Sequence, residues 1–260
     1  MSEYGLELLA FGPHPDDVEL FCGGLLAKLS RAGHRTGIVD LTRGEKSSRG
    51  TPETRAQETE DASRALGLAL RENLELPDGW VSPWAGFESP ARETEAPVAR
   101  VVEVLRRLRP ELVLVPWEEE RHPDHAAASS LVTRALFFSG VRHFAPGLPP
   151  FTPRQVLYYP LRHLAEPSVV VDVSEVYAQK LAAVHCYSSQ VQPNPTAAPT
   201  LVGSPLSLSS LEARDRFYGA QVGVAHGEPY VLRETLGLAD PVDHFRRNAF
   251  ARPLFFPQRR

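Results

Sequence analysis

Apolar residues fall along the chain in short blocks whose period changes from one block to the next. Residues 6–11, Leu-Glu-Leu-Leu-Ala-Phe, form a largely apolar run halted by Gly12-Pro13, the pattern of a strand buried on both faces of a parallel sheet. From Val18 to Ala32 the period lengthens: Leu20, Leu25, Leu26 and Leu29 recur at helical spacing, and Gly33 supplies a plausible end. Arg35 to Leu41 predicts a second strand. Pro52 then opens a charged helix with Ala56, Ala62 and Leu66 on its buried side, closed by Gly67, and 70–76 predicts a third strand. Pro97 starts a further helix, with Val98, Val101, Val102, Leu105 and Leu108 in helical register, and 112–116 reads as the fourth strand.

This alternation predicts an α/β fold: a Rossmann-like, mainly parallel sheet with helices on both faces, because right-handed crossovers cover each side. Beyond residue 145 prolines cluster at 146, 149, 150, 153, 160 and 167, and again at 193, 195, 199 and 205, marking loops. Between them 156–159 and 169–173 read as strands and 174–187 and 208–222 as helices, C-terminal strands and helices added to that fold. We expect residues 1–260 to form one domain. The glycine fingerprint G-x-G-x-x-G is absent after the first strand, so a dinucleotide is not the expected ligand.

Composition narrows the class further. The 260 residues carry 28 basic and 32 acidic side chains, a net charge of −4, which argues against a general nucleic-acid or anionic-membrane binder. Two cysteines far apart, Cys22 and Cys186, read as reduced thiols, and Cys22, down the first helix, as packed rather than ligating. Glu3 and Glu7 occupy the place where a signal peptide carries positive charge, and no apolar run reaches membrane-spanning length. A cytoplasmic protein is expected.

The chemistry concentrates in two blocks. GPHPDDVELFCGG at 12–24 puts His14, Asp16 and Asp17 just past the first strand, and ERHPDHAAAS at 120–129 puts His122, Asp124 and His125 just past the fourth. In a doubly wound sheet of order 3-2-1-4 these strands are neighbours and their loops diverge at the topological switch point, so the blocks meet in one crevice. Imidazole nitrogens and carboxylate oxygens suit a divalent ion such as zinc. A single His-Pro-Asp is ordinarily a turn and a helix cap, but two, each after an apolar strand at adjacent positions, predict a metal site. A catalytic zinc keeps three protein ligands and an open position. Six candidates exceed three, which leaves groups for proton transfer. Spacing does not decide between His122 and His125 as the metal ligand.

With these motifs the sequence resembles the PIG-L or LmbE-like zinc-dependent N-acetylglucosaminyl deacetylases, which carry A-H-P-D-D and H-P-D-H motifs, with Pro13 here replacing the alanine. Within that family it is most similar to the bacillithiol-pathway enzymes acting on N-acetylglucosaminyl-malate, through LAFGPHPDDVE, DLTRGEKSSRGT, the ERHPDH block, YSSQ at 187–190 and FYGAQVGVAHGE at 217–228. The resemblance implies His14, Asp17 and His125 as zinc ligands, with iron an alternative metal, and Asp16 as general base. It leaves His122 to steady the oxyanion or protonate the leaving amine, with Asp124 orienting it.

For substrate, a malate aglycone carries two carboxylates, which guanidinium groups bind bidentately. Arg55 and Arg43, with Ser47, lie after the second strand at the metal end of the sheet, and Tyr187 and Gln190 lie in the similar YSSQ segment; packing or a solvated loop is the alternative for each. Glu19 and Glu58 read as exposed helical glutamates or as supports for a ligand. The roles of Arg121 and of 217–228 stay open. The expected partner is a small amino-sugar substrate, with no nucleic acid and no membrane, and a homo-oligomer is compatible with the proline-rich surface. The rival functions are deacetylation or amidolysis of another N-acylated sugar or thiol conjugate, a non-catalytic sugar-binding module, and a metallophosphatase.

Overall fold

The structure, a computed structural model, describes residues 5–85, 96–194, 196 and 198–247. Pro195, in one of the expected loops, lies outside the described residues. The elements run β1 (Leu6–Gly12), α1 (Asp17–Arg31), β2 (Thr36–Thr42), α2 (Pro52–Leu66), β3 (Leu70–Leu76), α3 (Pro97–Leu108), β4 (Pro110–Pro116), α4 (Pro123–Ser139) and β5 (Gln155–Tyr159). These five strands form one parallel sheet of order β3-β2-β1-β4-β5. The expected α/β architecture holds, with β1 and β4 adjacent at the sheet centre.

The continuous apolar composition of β1 follows from its place. Leu9 and Phe11 enter a core with α3 and α4, whereas Leu8 and Ala10 enter the opposite core with α1. Both faces are covered, so every position of the strand except the half-buried Glu7 is buried. The strongest helical pattern read from sequence, at 97–108, is α3, whose Val98, Val101, Val102 and Leu105 are all buried.

The C-terminal part departs from expectation in detail. Residues 174–187 split into a 3-10 turn at Ser174–Val176 and α5 (Tyr177–Cys186), followed by the short α6 (Ser188–Val191). After α7 (Ser207–Val222) comes β7 (Gly227–Tyr230), which pairs antiparallel with β6 (Val169–Asp172) as a separate two-stranded sheet, before α8 (Pro241–Arg247). Gly-Glu-Pro-Tyr carries no strand signal of its own; tertiary pairing creates β7. No helix among the described residues is long and apolar enough to cross a membrane.

Candidate metal centre

The loop from β1 into α1 is held open in an unusual backbone. Asp16, at the N-cap of α1, has φ 101° and ψ −30°, left-handed territory that a non-glycine residue enters at a cost of roughly 1–3 kcal/mol unless its surroundings hold it there. They do so here. Thr42 donates both its N–H and its hydroxyl to the Pro13 carbonyl, at 3.2 and 3.0 Å, and the Arg55 guanidinium donates to the Pro15 carbonyl. On the other side, Pro123 occupies the first turn of α4 and His122 caps it, its Nδ1 accepting the Asp124 N–H at 3.3 Å.

These two helix starts bring the paired motifs together. His14 Nδ1 lies 3.1 Å and His125 Nε2 3.2 Å from the same oxygen, Asp17 Oδ2. The donor atoms of His14, Asp17 and His125 all lie within 4.8 Å of one another. A second triple, His14, His122 and Asp124, meets the same criterion, but its His122 is exposed. The His122 and His125 rings stack with centroids 4.6 Å apart.

Charge shows what this corner fits. The carboxylates of Asp16, Asp17, Asp78 and Asp124 are all buried around His14, and Arg55 Nη2, 3.6 Å from Asp16 Oδ2, is the guanidinium paired with them. Burial alone would lower the His14 pKa, but its hydrogen bonds to Asp124, Asp17 and Asp78 raise it well above the usual imidazole value. Burial pushes Asp16 up to about 7 against the pull of Arg55. Asp78, despite its own burial, is drawn down to about 2 by His14 and the Lys46 N–H. Converging nitrogens and a surplus of buried negative charge are the donor set of a divalent cation.

The open space beside this corner is a cleft of about 510 Å³, with His14, Asp16, Asp17, His122 and His125 in its wall. His122 Nδ1 is occupied by the Asp124 N–H, so its proton belongs on Nε2, facing other groups. Burial and the neighbouring His125 and His14 hold the His122 pKa below its ordinary value. The carboxylate of Asp124 does not touch His122. Its oxygens accept the Gly79 N–H at 2.6 Å and the Val81 N–H at 3.3 Å, and Oδ2 lies 3.3 Å from His14 Nε2. The expected orienting of His122 thus comes from the amide of Asp124, because its side chain is bound to the loop after β3.

The substrate residues expected from sequence separate into groups. Ser47 and Gln190 both line the cleft, and the Ser47 hydroxyl donates to Gln190 Oε1 at 3.0 Å. Arg55 lines it too, but is buried and bonded to the Asp16 loop rather than free for a ligand. Arg43 is exposed and borders a neighbouring cavity behind Arg55, outside the cleft. Tyr187 is 0% exposed, and its hydroxyl donates to Glu19 Oε1 at 2.9 Å, so packing holds for it. Glu19 and Glu58 are buried: Glu19 pairs with Arg71, and Glu58 accepts the Ser189 N–H at 2.7 Å. Sequence reading missed Asp78, Lys46 and Arg162 as cleft residues. For Asp78 a signal existed, an acid in Leu-Pro-Asp-Gly past the carboxyl end of β3, but the tetrapeptide also reads as a plain turn.

The sequence model of PIG-L, described as GlcNAc-PI de-N-acetylase, matches residues 9–136. Diacetylchitobiose deacetylase of Thermococcus kodakarensis is 30% identical over 204 residues, covering 71% of this chain and 70% of that protein. A Pseudomonas putida protein named 4-oxalmesaconate hydratase is 26% identical over 195 residues, covering 70% of this chain and 73% of that one. Among solved structures, a conserved protein of Thermus thermophilus superposes with a TM-score of 0.78 at 40% identity, covering 90% of this chain and 98% of the other.

Proposed function

The chain belongs to the PIG-L family of de-N-acetylases and is an N-deacetylase, and from that premise we propose that it removes the acetyl group from the amino sugar of N-acetylglucosaminyl-malate or a related small anionic glucosaminide. The observation that carries the anionic part is the cleft rim. Lys46, Arg121 and Arg162 line it, and among the described residues none of their side-chain cations forms a salt bridge, although the Glu120 carboxylate accepts the main-chain N–H groups of Arg121 and Arg162 at 2.7 and 2.8 Å. In a chain of net charge −4, three side-chain cations without a salt bridge beside one cleft favour a substrate carrying negative charge. The cytoplasm, where two free thiols stay reduced, is the compartment that suits it.

His14, Asp17 and His125 would hold one divalent ion, zinc or iron. The chemistry such an ion supplies when bound is acidification of water toward a pKa of about 7 and withdrawal of charge from a carbonyl oxygen. Asp16 takes a proton from the water as its oxygen bonds to the acetamide carbon; a carboxylate poised near neutrality is well matched to that task. His122 donates its Nε2–H to the developing oxyanion, a hydrogen bond whose direction the Asp124 amide fixes. The carbon–nitrogen bond breaks as a proton passes to the amine, giving acetate and a free amino sugar.

The test is acetate and amine release from N-acetylglucosaminyl-malate, N-acetylglucosamine and its β-linked dimer, with and without chelator. Chelator-sensitive turnover, fastest on the malate conjugate, is expected. Preference for the uncharged sugars would move the assignment to another N-acylated sugar. Hydration of 4-oxalmesaconate with no amine release would move it to the reaction named for the Pseudomonas relative.

A further inference from the structure

Asp78 belongs to neither histidine motif, yet its carboxylate reaches the metal corner. Oδ1 lies 3.2 Å from His14 Nε2, the nitrogen on the far side of the ring from Asp17. Oδ2 accepts the Lys46 N–H at 2.8 Å, and the Asp78 N–H in turn donates to Glu45 Oε1 at 2.9 Å. One side chain therefore joins the loops after β1, β2 and β3.

A neutral imidazole carries a single proton, and its position decides which nitrogen offers a lone pair. Two carboxylate oxygens flank His14 Nε2, from Asp78 at 3.2 Å and Asp124 at 3.3 Å. Nδ1 faces Asp17 Oδ2 at 3.1 Å, where an ion held with Asp17 and His125 would take its lone pair; the single proton then falls to Nε2, where these two carboxylates accept it. Asp124 is already committed to Gly79 and Val81. The second acceptor therefore has a role of its own.

We propose that Asp78 is a positioning residue for the metal: its carboxylate fixes the His14 ring and tautomer so that Nδ1 presents its lone pair to the ion. This rests on the metal reading above but not on any choice of substrate. A carboxylate behind a ligating histidine raises its basicity and sets its orientation, and losing one typically costs about 10–100-fold in metal affinity.

The experiment is a zinc titration of metal-free protein against a competing chelator, for wild type, Asp78→Ala and Asp78→Asn, with no substrate present. Asp78→Ala is expected to weaken the zinc Kd by about 10–100-fold, while the amine-release kcat recovers at saturating zinc. Asp78→Asn keeps the side-chain volume but offers a weaker, neutral acceptor, and should fall between; it is the variant read if Asp78→Ala fails to fold. A wild-type zinc Kd in the folded variant overturns the proposal. If KM then rises as well, Asp78 serves the sugar rather than the ligand. Failure of wild type itself to bind zinc is a different result, one that removes the metal reading.

Discussion

Two of the buried ionised clusters against α1 differ in how fully their charges are paired. Against the middle of the helix, Lys180, Asp215 and Glu228 are each 0% exposed. Lys180 Nζ reaches Asp215 Oδ2 at 2.6 Å and Glu228 Oε1 at 2.8 Å, and Arg214 Nη1 reaches Asp215 Oδ1 at 2.9 Å. Glu228 also accepts the Gly24 and Leu25 N–H groups, both at 2.8 Å, an approach that a side chain at Gly24 would block, since its Cβ would lie 2.9 Å from Glu228 Oε1. Two cations meet two anions and the carboxylates are hydrogen-bonded. At the start of the same helix, four buried carboxylates surround His14 with one guanidinium paired to them. The complete cluster ties β7 and α7 to α1, while the other holds more carboxylates than guanidinium groups, a surplus that a bound cation would offset.

The comparison is broken most severely at the proposed metal ligands. His125→Ala should bind no stoichiometric zinc and lose its activity while remaining folded, because the side chain, although buried, lines the wall of the cleft rather than either apolar core. Metal analysis beside circular dichroism checks this, and full zinc occupancy in the folded variant would remove His125 from the ligand set.

Asp16→Asn is expected to retain zinc and lose about 10²–10⁴-fold in rate, the usual contribution of a positioned proton acceptor. The same change should make the metal-free protein more stable, by roughly 1 kcal/mol or more, because it deletes an under-compensated buried charge and asparagine tolerates positive φ. A gain in melting temperature with a loss of rate is the signature of a group kept for chemistry. A melting temperature unchanged or lowered would mean that Arg55 compensates Asp16 fully.

Lys180→Met should show the converse. Removing one partner of a buried pair costs about 3–5 kcal/mol because the carboxylates are left unpaired. Zinc stoichiometry of the remaining folded protein should be unchanged. Denaturant unfolding checks the first point and metal analysis the second; loss of zinc at unchanged stability would show that the two clusters are coupled through α1.

Legibility in the sequence follows the same division. The parallel α/β architecture and the order of β1 to β4 were readable because strand-length segments alternate with helical periods, and His14, Asp16, Asp17, His122 and His125 because each motif follows an apolar strand, β1 or β4; the place of β5 at the sheet edge was not. Long-range partners were not. Glu19, Arg71 and Asp40 meet only when α1, β2 and β3 assemble, and Glu228 looks like a surface glutamate until β7 pairs with β6. The family-like segment 217–228 turns out to serve packing: a Cβ on Gly219 would lie 2.8 Å from the Val224 carbonyl oxygen, and Glu228 caps the complete cluster. Tyr187 misled for the same reason, since residue type signals chemistry while burial assigns its target, whereas Arg55 lines the cleft but directs its hydrogen bond to the Asp16 loop.

The smallest expected effect lies at the rim, where the charge surplus of the cleft reverses sign. Lys46 and Arg121 are exposed and Arg162 half-buried, so each contact with an anionic substrate is screened and contributes about 0.5–1 kcal/mol, roughly a two- to fivefold rise in KM when truncated. Arg121→Ala and Arg162→Ala should show this on the malate conjugate and scarcely on N-acetylglucosamine, with kcat unchanged because neither side chain bonds the Asp16 loop. Raising salt should narrow the wild-type preference for the charged substrate, since exposed charges separated by more than about 8–10 Å lose most of their attraction at physiological ionic strength. Arg55→Ala should instead lower kcat on both substrates alike, because its bonds go to the Pro15 carbonyl and Asp16 rather than outward. A selective KM effect from Arg55→Ala, with none from Arg121 or Arg162, would return substrate recognition to the segment after β2 and make the rim cations bystanders.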